Sequence, residues 1–170
     1  MAQNLSPRQA LLLHQNQTCY EHVLGALKGV TEEQARRAVP NAESGGLFTG
    51  GTILGIVQHI ITAKVVYGNT GFGDASLVHK WDEAEADVAA RTPDLATAVA
   101  LLHQAHAEWV AGWRDWSDAE MDAERPVHWG ATHPGWRIAY LVMQHDFYHA
   151  GQIAMAAAIT RSDPPIDQAA

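Results

Sequence analysis

Residues 92–116 read TPDLATAVALLHQAHAEWVAGWRDW, and their spacing decides the fold class. Leu95, Val99, Leu102, His106, Trp109, Trp113 and Trp116 follow one another at intervals of 4, 3, 4, 3, 4 and 3. That alternation puts all seven on one face of a helix, and Thr92-Pro93-Asp94 is a start signal for it. His106 is the only polar member of the seam. A helix with such a stripe must be covered by other elements, so the rest of the chain has to provide partners.

Working outward, three more long helical patterns emerge. Ser6-Pro7-Arg8-Gln9 offers an N-cap hydroxyl, a proline suited to the first turn and a glutamine placed for a capping box. The helix it opens runs to about Lys28, with Leu12, Asn16, Cys19, Tyr20, Val23, Leu24 and Leu27 on one stripe and Gly29 as its stop. Thr31-Glu32-Glu33-Gln34 is a second capping box, on a short helix ended by Pro40. A glycine-rich connector, Gly45 to Gly51, then leads into the second long helix, about 52–68. The connector follows no strand and lacks the Lys-Ser/Thr ending of a phosphate loop. The fourth long helix begins near Pro134 and runs to about Ile159, with Ile138, Leu141, His145, Tyr148, His149, Gln152 and Ile159 facing roughly one way.

No strand-like alternation of useful length and no internal repeat is visible, so the expected architecture is all-α, a four-helix bundle. The stretch from about 69 to 93 is long for a link between neighbouring helices. It holds either a short helix around Ala84–Ala90 or a crossover. One domain over residues 1–160 is expected, with 161–170 as a frayed tail.

Composition excludes several functions. A formal net charge of −8 without any Lys/Arg cluster argues against a nucleic-acid surface. The most apolar stretch, 53–66, is interrupted by Gln58, His59 and Lys64 and is too short to span a bilayer. One cysteine leaves no intrachain disulfide. With no signal peptide legible at the start, a cytoplasmic location is expected.

The chemistry is in the histidines. His145 and His149, in QHDFYHAGQI (144–153), stand one helical turn apart, so both imidazoles can reach one ion at ~2.0–2.1 Å. His59 lies near the middle of the second long helix, and the pair brackets the middle of the fourth. Helices of similar length packed side by side bring the three to one level. Three neutral imidazoles with open positions make a catalytic type of metal site rather than a closed one. The rival reading is three separate polar residues, at least one facing solvent. With 10 histidines in the chain, spacing alone cannot decide between them.

Those residues also carry a resemblance. The chain resembles the DinB/YfiT-like family of metal-dependent enzymes, four-helix bundles whose metal is held by one histidine of the second long helix and an HxxxH pair of the last. It extends to the Gly-Gln after the last histidine and to the order of elements along nearly the whole chain. The resemblance implies His59, His145 and His149 as ligands and a twofold homodimer. It further implies thiol-dependent S-transferase or isomerase chemistry of the mycothiol or bacillithiol kind, on a small-molecule substrate. Leu11 and Leu13, flanking the Leu12 direction, add apolar surface that one core does not need. Imidazole ligands suit zinc or nickel, and iron as well. Two alternatives to thiol transfer stand beside it: hydrolysis by metal-bound water, and a non-enzymatic metal-binding protein of a stress response.

Other polar residues are read more narrowly. His106 is either a core histidine hydrogen-bonded to a neighbour or a pocket residue able to move a proton near neutrality. Asp146 is rotated ~100° from His145, so it caps or orients a neighbouring histidine rather than acting as a base at the metal. Asn16 is at the helix edge or supports something polar inside. Cys19 is a small buried hydrophobe, and Trp109, Trp113 and Trp116 are core. His103 is exposed, and His14, His22, His79, His128 and His133 give no separate signal.

Overall fold

The computed structural model describes residues 5–39 and 51–161. The expected stop at Pro40, the glycine-rich connector short of Gly51 and nearly all of the tail lie outside them. Seven α-helices follow in order: α1 (Pro7–Leu27), α2 (Glu32–Arg36), α3 (Ile53–Tyr67), α4 (Trp81–Arg91), α5 (Leu95–Ala111), α6 (Asp118–Asp122) and α7 (Gly135–Thr160). A two-stranded hairpin of β1 (Glu124–Pro126) and β2 (Thr132–Pro134) precedes α7. The protein is thus mostly helical, and among the described residues no helix is long and apolar enough to cross a membrane.

The start signals act as the sequence predicts. Ser6 Oγ accepts from the Gln9 amide at 3.1 Å while Gln9 Oε1 accepts from the Ser6 amide at 3.2 Å. Thr31 and Gln34 repeat that reciprocal box on α2. Thr52 caps α3 through the Gly55 amide, and Asp94 caps α5 through the Thr97 amide. Gly29 follows α1 at φ +78, a conformation that favours glycine.

Packing gives α3 the central place. It touches α4, α5 and α7, while α1 lies along α7. Correspondingly α3 is buried on nearly every side, from Ile53 through Val57 to Ile60, Ile61, Ala63 and Val66. Its sequence is apolar nearly all round, as such a helix must be. α1 reaches α5 through side chains: the Trp109 indole N–H donates to Asn16 Oδ1 at 3.0 Å, both buried. Asn16 therefore supports a polar group inside and does not sit at the helix edge.

Three expectations need correction. α5 ends at Ala111 at the Gly112 turn, so Trp113 and Trp116 extend the apolar seam from beyond the helix; Trp113 is buried. The small hairpin was not anticipated, because three-residue strands carrying Pro126 and Pro134 are too short to show a period of two. On α7 the buried arc takes in Ile138, Val142, Asp146, His149, Ile153 and Ala157, while Tyr148 and Ile159 are exposed at 52% and 51%. The buried face is therefore centred roughly 70° from the His145 direction. The long connection after α3 is resolved in favour of a helix: α4 occupies it, starting earlier than expected at Trp81.

Apolar packing divides into two clusters. One joins Tyr20, Val23, the aliphatic face of α3, Leu102, Ala105, Ala150 and Ile153. The other joins Trp109, Trp113, Met121, Val127, Ile138, Val142 and Met143. On α5 the change falls between Ala105 and Trp109, at His106; on α7 it falls between Met143 and Ala150, the stretch holding His145, Asp146 and His149. A polar layer crosses the molecule there, and Lys64 of α3 belongs to it.

Candidate metal centre

α3 brings His59, and α7 brings His145 and His149, to one point. Their ligand atoms all lie within 4.8 Å of one another. The ring centroids are 4.9 Å apart for His59 and His145, 5.0 Å for His59 and His149, and 4.2 Å for His145 and His149. His145 Nε2 faces His149 Nε2 at 3.1 Å. Two nitrogens each ~2.0–2.1 Å from one ion stand about 3–3.4 Å apart when they subtend 90–110° at it. The spacing of the pair is already that of two ligands of one metal.

The outer nitrogens are held in the matching tautomer. His149 Nδ1 meets Gln152 Oε1 at 2.6 Å. That amide in turn donates through Nε2 to the Tyr148 hydroxyl at 2.9 Å. His59 Nδ1 meets Glu85 Oε1 of α4 at 3.3 Å, and its ring lies 5.3 Å from that of Trp81. Acceptors on both Nδ1 atoms put the proton there and leave each Nε2 with its lone pair, and that of His149 faces the cluster; this is the usual second layer of a histidine metal site. His145 Nδ1 is buried without a hydrogen-bond partner.

Electrostatics also keep the two rings of α7 neutral. Burial, then His149 and His59, push His145 down to about 2. Burial, then His59, takes His149 down to about 4. Both are ready-made neutral donors at neutral pH, which is the ligand form of imidazole. The residues present therefore fit a divalent ion, held by His59, His145 and His149.

Other anticipated residues are elsewhere. His106 lies outside the histidine cluster, stacked on Tyr20 at a centroid distance of 3.6 Å with Nδ1 unpartnered. Burial, then Lys64 and His103, hold it down to about 3, too low for proton transfer near neutrality. His103 is exposed yet bonded, its Nδ1 2.7 Å from the Tyr20 hydroxyl. Cys19 is half-buried, and burial followed by Asp146 raises its thiol pKa, so it stays protonated. Asp146 does not touch a histidine: its Oδ2 accepts from Lys64 Nζ at 2.5 Å, both side chains fully buried.

Sequence reasoning missed Lys64, Glu85 and Trp81. Lys64 reads as a break in an apolar run, and nothing local announces a partner 82 positions away. Glu85 and Trp81 belong to α4, whose own pattern gives no hint that it flanks His59. Gln152 was within reach, since a residue three after His149 on a helix must neighbour it.

The model of the DinB superfamily matches residues 15–153, a span that takes in all three histidines together with Glu85 and Gln152. No curated protein matches the chain.

Proposed function

The chain belongs to the DinB superfamily, and on that premise we propose that it is a metal-dependent enzyme using a divalent ion on His59, His145 and His149 for thiol-dependent transfer or isomerisation. The observation that carries this reading is the paired tautomer control. Glu85 and Gln152 occupy the outer nitrogens of two rings whose inner nitrogens converge with that of the third. Zinc or nickel suits three imidazoles.

A divalent ion bound there supplies nearly uncompensated positive charge, which lowers the pKa of a thiol or water placed on it. The chain's own part is to present three imidazole donors and leave the remaining positions to a ligand. An anionic low-molecular-weight thiolate, of the mycothiol or bacillithiol class, is the ligand such a site favours. Metal-dependent hydrolysis by metal-bound water is the second reading, since the positions that three imidazoles leave open suit water as well as a thiol. In this reading α1, α3, α5 and α7 form a single-domain four-helix bundle. It works in the cytoplasm on a small molecule as a homodimer, and the net charge of −8 keeps it off nucleic acid.

Cobalt substitution tests it. Adding mycothiol, bacillithiol or glutathione as a surrogate to the cobalt protein should produce a sulfur-to-metal charge-transfer band that grows with pH through the lowered thiol pKa. No band with any thiol, together with turnover of a test ester, selects the hydrolase. Silence in both assays leaves a metal-binding protein without this activity.

A further inference from the structure

We propose that the buried Lys64–Asp146 ion pair is a positioning device for the histidine centre, fixing the register of α3 against α7 and so the separation of His59 from His145 and His149. Its consequence for metal binding rests on the reading above; its effect on the three rings does not.

The pair joins the two helices that carry the ligands. Lys64 is five residues beyond His59 on α3, about 7.5 Å along the axis. Asp146 is one residue from His145 and three from His149, about 1.5 and 4.5 Å along α7. Nζ and Oδ2 are 2.5 Å apart, and both side chains have no exposed surface. Of the α7 side chains near the centre, Asp146 and His149 both lie within the buried face, at 0% and 2% exposure, while His145 stands at its margin.

Stability alone does not account for this pair. Removing two ions from water is costly, and an apolar pair of similar volume is often as stable or more so. Compensation is incomplete among the described residues: Asp146 Oδ1 has no hydrogen-bond partner there, and Lys64 has beyond its carboxylate the face of Tyr20, 5.6 Å from the ring centroid. Apart from the histidine rings, the packing of the two helices is aliphatic, from α3 to Ala150 and Ile153, and apolar attraction carries no direction. An ion pair does. A slide of one residue displaces α7 by about 1.5 Å, whereas metal ligands must be held to about 0.5 Å. The pair sits where the two apolar clusters part, so neither cluster alone determines the register at that level.

The test is the double variant K64M/D146A, which removes both charges together. In the metal-free protein, NMR should show ring-proton contacts of His59 with His145 and His149 weakened or lost, with the thermal midpoint close to that of the parent. Zinc affinity, read by chelator competition, should fall at least about tenfold. A folded double variant with the parent's ring contacts and zinc affinity overturns the proposal. Should the double variant not fold, D146N decides, since its Oδ1 can still accept from Lys64. Ring contacts kept in folded D146N support register control, and their loss there overturns it. Failure of both variants to fold also overturns it, because the pair is then an element of stability. If the parent itself binds no zinc, the metal reading falls while the ring contacts still settle the register.

Discussion

His149 is the best determined of the three candidate ligands, because both its nitrogens are accounted for. Nδ1 is tied to Gln152 and Nε2 faces His145, with the residue 2% exposed. Replacing it by alanine removes a donor and the only hydrogen-bond partner that His145 Nε2 has in the cluster. The surrounding apolar contacts come from Ile153, Ala150 and α3, so the helices should remain folded. His149→Ala should therefore lose most bound metal, by elemental analysis, with its far-ultraviolet circular dichroism unchanged. His59→Ala and His145→Ala should behave alike. His79→Ala should keep full stoichiometry, since His79 is exposed and packs by Gly130 on the hairpin side. Undiminished metal in His149→Ala would remove the basis for the three-histidine centre.

α7 performs three tasks on three faces, and only part of this was legible in its sequence. Its inner arc builds the core and includes His149, its margin carries His145, and its outer face exposes Tyr140, Phe147 and Met155 at 49%, 59% and 48%. The existence and rough limits of α1 and α5 could be read because caps and period agree there, and those of α3 and α7 because each is a long run without a strand period. The facing of α7 is not legible in its sequence, because the buried arc is centred roughly 70° from the His145 direction and nothing local marks His145 as lying at its edge. Asp146 was likewise assigned to its sequence neighbours, since a partner on α3 depends on packing that no local pattern encodes. Tyr140 and Phe147 line an apolar groove with Leu11, Leu12 and Met143, and exposed aromatic and aliphatic side chains gathered in this way mark an interaction surface. We propose a second copy of this chain as its occupant, in line with the apolar excess of α1. Light scattering at micromolar concentration should give twice the chain mass, and Phe147→Glu should give a monomer. A parent protein of monomer mass refutes the dimer.

Across the whole molecule, the layer containing Lys64, His106, Asp146 and the three clustered histidines makes stability depend on pH in a defined sense. An unfolded chain protonates its histidines near pH 6.5. The folded chain keeps His106 neutral down to about 3, His149 down to about 4 and His145 down to about 2. Between pH 6.5 and about 4 the unfolded state thus binds more protons, so stability of the metal-free protein rises with pH and is lost on acidification through this window. Asp146 acts in the opposite sense, because burial raises its carboxyl above the ordinary range and the folded state then holds the extra proton. Its contribution is common to the parent and to a His106 variant, so a comparison of the two isolates His106. His106→Leu removes a group that stacks on Tyr20 but donates to nothing through Nδ1, so the fold should tolerate it. The fall in thermal midpoint from pH 7 to pH 5 should be smaller in His106→Leu than in the parent, at about 2–4 °C for each kcal/mol of the difference. Equal falls in the two proteins would show that His106 takes up its proton in the folded state as readily as in the unfolded chain, and the dry layer between the two apolar clusters would then have to be open to water at α5.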